Sequence, residues 1–344
     1  MTSDAQSHMR CEEMTESDMS TSTAPSATAE TSPPSGTEPP SGAGPPSEGR
    51  HAHVADGSTF APGLRLLPAQ VRENVQCLYN VLRTLDDLVD EDDPRASERV
   101  GAVERWARCE QADGPQAADS PETRALAWLY RRRPFPREAL LHFCAGMRHD
   151  IVRASIEDEE DFERYCQQAG GSVGIVLVNL LGTVGDQEDP EHGAEIEDRT
   201  GARVENGAGV RREAETKMAT LGRAMQVTNI LRDIDEDLEH GRVYIPRTLI
   251  VRYGVPSPGA RAQLLREQIA HADALYEEGA GAIALLRDGR SAMALSAALY
   301  REILRQIERE GFGRRPGRAV VPRWRARFLI ARQRTANVWG GLTG

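Results

Sequence analysis

Apolar residues return every three or four positions along most of the chain. Over 71–88 they fall at Val75, Leu78, Tyr79, Leu82, Leu85 and Leu88, the single stripe of an amphipathic helix. The same spacing predicts further helices over 97–111, 122–131, 136–154, 159–184, 213–239, 259–287 and 290–310. Period-two alternation is scarce, so no sheet is expected. Two stretches break the pattern. Residues 1–57 contain no Phe, Trp, Tyr, Leu or Ile and are rich in Ser, Thr, Pro and Gly. Such a segment buries too little apolar area to offset its chain entropy, which predicts a disordered tail. It also lacks the apolar region of a secretory signal. Residues 186–212 are polar and Gly-rich and read as a surface loop or a poorly ordered insertion. The expected organisation is one all-α domain over 58–335, with a short tail at 336–344.

Charge sharpens this division. The chain carries 53 acidic and 42 basic residues, for a net charge of −11. Residues 1–57 hold nine Asp/Glu against two Arg, a balance of −7. The remainder is therefore only −4, and the acidity belongs mostly to the tail. Lys217 is the only lysine among 42 basic residues, so any phosphate held by cationic side chains is held chiefly by arginine forks. The five cysteines are widely spaced and form no CxxC pair. That supports neither a disulfide framework nor a zinc site, and reduced cytoplasmic thiols are the expectation. No run approaches the roughly 20 apolar residues of a membrane-spanning helix.

Two acidic clusters carry the chemistry. In Arg83-Thr84-Leu85-Asp86-Asp87-Leu88-Val89-Asp90, Asp86 and Asp90 lie four apart and share a helix face, with Arg83 one turn earlier. In the second, Asn229, Asp233 and Asp237 step by four, with Gln226 one turn before and apolar residues between. Oxygen ligands at this spacing suit Mg²⁺, which takes one or two carboxylates and leaves places for water or phosphate oxygens. A solvated acidic surface is the plain alternative for either cluster. Taken together, two Asp-bearing helices far apart in sequence could meet across a bundle and clamp metal ions. Those ions would hold a diphosphate, with Arg83 and Arg232 adding charge.

With these residues in place, the chain resembles the squalene/phytoene synthase family. The likeness runs through Ser58-Thr59-Phe60, "LRLLP" (64–68), "RTLDDLVDE" (83–91), "MRHD" (147–150), "YCQQAGGSVG" (165–174), "QVTNILRDIDED" (226–237), "GRVYIP" (241–246) and "YREILRQIEREGF" (300–312). The resemblance implies a class I isoprenoid synthase helical bundle around a central cavity. It implies a metal set of Asp86, Asp87, Asp90, Asn229, Asp233 and Asp237 holding two or three Mg²⁺ ions. Arg83 matches the diphosphate-binding arginine, and Tyr165 the tyrosine that handles protons and cations. Thr59, Tyr79, Gln226, Arg232, Tyr244, Tyr300 and Arg318 match substrate-contacting positions. The small residues at Gly170, Gly171 and Gly174, with Val173, read as a cavity wall that lets a bulky hydrocarbon approach the backbone.

The implied activity is head-to-head (1′-1) condensation of two farnesyl (C15) or geranylgeranyl (C20) diphosphates to a squalene- or phytoene-type product. A class I terpene cyclase acting on one diphosphate is the alternative, because Gln167 and Ala169-Gly170-Gly171 depart from the family pattern. NADPH would be needed for squalene itself, and no dinucleotide fingerprint is present. A catalytically silent scaffold would require lost ligands, and both clusters are intact. The arginines over 301–334, with Trp324, Phe328, Leu329 and Ile330 among them, suggest peripheral attachment to a membrane surface. No nucleic-acid recognition motif accompanies the charge. The sequence leaves the oligomeric state open.

Overall fold

The computed structural model describes residues 59–109, 119–186 and 207–340, with side chains described as far as 332. All regular elements in these segments are helices. In order they are α1 (Ala61–Leu64), α2 (Ala69–Asp90), α3 (Ala96–Arg108), α4 (Pro121–Arg132), α5 (Arg137–Ile151), α6 (Glu159–Cys166), a π-helical turn (Gln167–Gly171), α7 (Ser172–Leu181), α8 (Gly207–Glu239), α9 (Arg247–Tyr253), α10 (Ala262–Gly279), α11 (Ala282–Leu285), α12 (Arg290–Arg309) and α13 (Arg323–Gly340). The predicted tail at 1–57 lies outside the described residues, as do 110–118, 187–206 and 341–344.

Local chemistry explains several boundaries. At the head of α4, Ser120 accepts a hydrogen bond from the Thr123 amide, while the Ser120 amide donates to the Thr123 hydroxyl. This reciprocal cap is followed by Pro121 at a position where no amide donor is needed. Asp158 caps α6, and three carboxylates in its first turn oppose the helix dipole. Gly182, at φ +71°, ends α7.

The core is built on α8. Its 33 residues span about 50 Å at 1.5 Å per residue. It packs against α10, α7, the π turn, α11, α12 and α6. Leu221, Val227 and Ile230 of this helix are buried, as are Leu78 and Leu85 of α2, Leu180 of α7 and Leu264 of α10. A second patch on α3–α5 centres on the buried Trp106, whose ring meets Tyr130 edge-on at 5.9 Å. Cys77, Cys109, Cys144 and Cys166 are free thiols. Among the described residues, no helix is long and apolar enough to cross a membrane.

Four sequence expectations need correction. The polar stretch 186–212 is not a loop throughout, because α8 begins at Gly207 and takes in its last six residues. The helix expected over 259–287 is two, α10 and α11, with a break at Ala280–Gly281. That expected over 159–184 ends at Leu181 and holds the π turn. The backbone of α13 also runs past residue 335 to Gly340. Helix α9 and helix α13 had no clear apolar period and were not anticipated.

Candidate active site

The two acidic clusters fold onto α2 and α8 and come within reach of each other's charge. Asp90 and Asp237 lie close enough for their charges to interact, and Tyr300 of α12 senses both Asp86 and Asp233. Burial pushes the Asp86 carboxyl up to about 7, with the neighbouring Asp90 charge adding to it. About 40% of the Asp86 side-chain surface stays open, yet crowding by protein still strips enough water to dominate. Asp237 is also pushed up to about 7, by burial and then by Asp233 and Asp90. The carboxamide oxygen Oδ1 of Asn229 is buried with no hydrogen-bond partner.

Arginines supply what positive charge the hollow has. Arg83 reaches Asp86 at 2.9 Å and Asp87 at 2.5 Å. Arg232 forks onto its neighbour Asp233 at 2.8 and 2.5 Å. Arg318 approaches the same carboxylate at 3.1 Å and Glu236 at 3.3 Å. Arg242 pairs with Asp90 and donates to the Val89 carbonyl at 2.6 Å. Each of these carboxylates is drawn to a guanidinium, and among the described residues no three acidic, His or Cys side chains close on one point.

Next to the carboxylates lies a tyrosine pair. Tyr165 and Tyr244 stack with centroids 5.1 Å apart. Their hydroxyls donate to the two oxygens of Asp150, at 3.1 and 3.0 Å. Asp150 is 7% exposed, and His149 Nδ1 stands 3.5 Å from its carboxylate. Burial and then the Asp150 charge raise the Tyr165 phenol well above its ordinary value, so it stays protonated as a donor.

A largely apolar cavity of about 780 Å³, including its mouth, adjoins this charged end. Phe60, Leu78, Val173, Leu177, Met218 and Met293 form much of its wall, and Tyr79, Gln226, Asn229 and Tyr300 give it a polar margin. Asn229 therefore belongs to both the cavity and the acidic row. Gly170 and Gly174 also line the cavity, but the reason for glycine there differs from the sequence reading. A Cβ on Gly170 would run into the Gly222 carbonyl of α8, and one on Gly174 into the Met218 carbonyl. Close helix packing requires these glycines. Gly171 is not part of this cavity's wall; a Cβ there would meet the Gln167 side chain.

Thr59 is half-buried at the edge of the described chain, beside the cavity residue Phe60. Asp87 is half-exposed and held by Arg83. Sequence reasoning missed two residues. Asp150 lay inside the "MRHD" stretch, and a buried acid at the end of α5 was the available signal. Arg242 stood inside the "GRVYIP" stretch, five residues beyond Asp237, and that nearness to the acidic row was the available signal.

Residues 54–325 match the model of the family described as squalene/phytoene synthase. The chain is 32% identical to a phytoene synthase of Thermus thermophilus over 287 residues, covering 80% of this chain and 88% of that protein. It is 33% identical to a presqualene diphosphate synthase of Rhodopseudomonas palustris, covering 61% and 66%. Its fold is similar to the crystal structure of a dehydrosqualene synthase in complex with ligand, with a TM-score of 0.65, 26% identity and coverage of 81% and 91%. An all-helical bundle, paired acidic rows and an apolar cavity are thus joined by family-wide sequence agreement: the chain belongs to the squalene/phytoene synthase family and is a prenyltransferase of that type.

Proposed function

We propose that the protein condenses two allylic prenyl diphosphates, C15 or C20, head to head with release of diphosphate, and that the reaction needs Mg²⁺. One observation carries this reading. An apolar cavity with Tyr79, Gln226, Asn229 and Tyr300 at its margin adjoins a row of carboxylates whose mutual repulsion the arginines only partly offset. An isoprenoid diphosphate has the matching polarity, a greasy chain ending in a polyanion.

Asp86, Asp90, Asn229, Asp233 and Asp237 would hold the metal. The unpartnered Asn229 oxygen and the two carboxyls pushed up to about 7 fit such a role, and an all-oxygen donor set suits magnesium. Asp87, already held by Arg83, contributes less. When bound, the ions supply the positive charge that neutralises the departing diphosphate.

The chain's own residues do the rest. Arg83, Arg232 and Arg318 exchange their carboxylate partners for diphosphate oxygens. The C1–O bond of the first substrate breaks, and its allylic cation is attacked by the C2–C3 double bond of the second. A proton is lost as the cyclopropane closes. Tyr165 is the residue we assign to take that proton while passing its own to Asp150, whose two oxygens accept the Tyr165 and Tyr244 hydroxyls. The stacked Tyr165 and Tyr244 faces offer π density to the cation. Apolar walls keep water from quenching it.

Incubation with farnesyl and geranylgeranyl diphosphates, with Mg²⁺ or EDTA and with or without NADPH, is read by mass spectrometry. A C30 or C40 product, or its cyclopropyl diphosphate precursor, formed only with Mg²⁺ is expected. A cyclic C15 or C20 product from a single substrate would overturn the condensation reading. Growth of a C30 product only with NADPH would assign the reductant.

Helix α13 supports a peripheral membrane role. Trp324 and Phe328, one turn apart, are each 63% exposed among arginines, with no acidic residue in the helix. Cosedimentation with phosphatidylglycerol vesicles but not phosphatidylcholine vesicles is expected. Loss of binding in Trp324→Ala/Phe328→Ala would place it on this face, and equal binding by that variant would remove it.

A further inference from the structure

The run Asp233-Ile234-Asp235-Glu236-Asp237 reads in sequence as one acidic patch, but α8 divides it. Asp233 is held by Arg232 and Arg318, and Asp237 one turn on feels the charges of Asp233 and Asp90. Asp235, two residues after Asp233 and about 200° around the helix, faces away and is 11% exposed on its side chain. There it meets Arg261, which immediately precedes α10 and is only 4% exposed. The two groups are joined by a fork, Nη1 to Oδ1 at 2.5 Å and Nη2 to Oδ2 at 2.7 Å.

This pair also grips the chain between α12 and α13. Asp235 Oδ2 accepts the Gly317 amide at 2.6 Å, and Arg261 donates to the carbonyls of Arg315 and Pro256 at 3.4 and 3.2 Å. Gly313, at φ +70°, lies so close to Arg261 that a Cβ would strike the guanidinium. Its carbonyl accepts the Gly259 amide at 3.0 Å. Gly317 directly precedes Arg318, whose guanidinium crosses α8 to Asp233. The backbone position of Arg318 is therefore set from the far side of the helix.

We propose that Asp235 and Arg261 are positioning residues that hold Arg318 over the diphosphate end of the hollow, and that they govern diphosphate affinity without touching it. The inference rests on the reading above that Arg318 binds diphosphate. Long side chains bind poorly when their backbone wanders, because fixing them costs entropy. A buried, forked ion pair is a stiff anchor, and its stake in this site is that the anchored amide belongs to the residue before the ligand-binding one.

The test measures binding of inorganic pyrophosphate in Mg²⁺ by calorimetry, in the full chain and its variants. Arg318→Gln and Asp235→Asn are each expected to raise Kd by about 10-fold, the effect of one charged hydrogen bond. The double variant Asp235→Asn/Arg318→Gln is expected to match Arg318→Gln within about twofold, since the latch acts only through Arg318. A purely structural pair would lower the melting temperature and the fraction of binding-competent protein, leaving the Kd of that fraction unchanged. Should Asp235→Asn strand Arg261 and unfold the chain, Asp235→Leu/Arg261→Met removes both charges together and leaves neither buried alone; it is expected to give the same rise in Kd. Unchanged affinity in the Asp235 variants, or effects that multiply in the double variant, would overturn the latch. Unchanged affinity in Arg318→Gln would instead remove the diphosphate role of Arg318 itself.

Discussion

At the scale of single residues, the hollow is a place where fold stability and function oppose each other. The Asp86 and Asp237 carboxyls sit near 7, against about 3.9 in an unfolded chain. Between these values the folded metal-free protein binds more protons than the unfolded chain. Stability therefore falls as pH rises through that window and levels off above it. The melting temperature in EDTA is expected to rise as pH is lowered from about 8 to about 5.5, and a flat or opposite trend in differential scanning fluorimetry would contradict the crowding described here. Asp86→Asn and Asp237→Asn remove the repulsion. Each is expected to melt higher than the parent in EDTA at pH 8 while losing at least ~100-fold in turnover with Mg²⁺, the scale of a major electrostatic group. Asp150→Asn offers the phenols only a neutral acceptor, and a fall in kcat of about 10²-fold, the size of a lost proton acceptor, is expected with little change in KM. The sequence made the acidic rows legible because their i, i+4 spacing is a local signal. Asp150 and Arg242 escaped because their meaning lies in partners on other helices, Tyr165 and Tyr244 for one and Asp90 for the other.

At the scale of elements, small residues decide how near the helices come. Gly170 and Gly174 press onto the carbonyls of Gly222 and Met218, so their absent side chains serve the packing of the π turn and α7 on α8 as well as the cavity. Gly170→Ala and Gly174→Ala are each expected to cost roughly 1–3 kcal/mol, the range for overpacking against atoms that cannot withdraw. Chemical denaturation measures this, and wild-type midpoints for both would show that the helices separate freely. Helices with a clean apolar stripe, such as α2 and α12, were legible within a few residues. Helix α9 was not, since seven residues carry too short a period. Helix α13 was hidden because arginines are interleaved with its apolar residues, so that over 323–332 the side turned inward, Ala326, Leu329 and Ile330, is only half-buried. The π turn was equally invisible, as one additional residue per turn leaves no mark on composition.

At the scale of the whole molecule, residues 1–57 read as a chain with nothing to bury. Removing residues 1–50 is expected to leave turnover and melting temperature nearly unchanged, and a large fall in either would assign the segment a structural role. The all-helical class was legible from periodicity, but the depth of the cavity was not, because it depends on which side chains meet across four helices. One feature of that arrangement has a chemical reach of its own. The acidic row and the apolar wall stand on the same rod: Asn229, Gln226, Met225, Gly222, Leu221 and Met218 of α8 follow one another along the cavity. From Asn229 to Met218 is eleven residues, about 16 Å. Helix α8 thus works as a ruler graduated in turns of about 5.4 Å, and a bulky plug set at Met225 rather than Met218 should shift selection to a shorter isoprenoid.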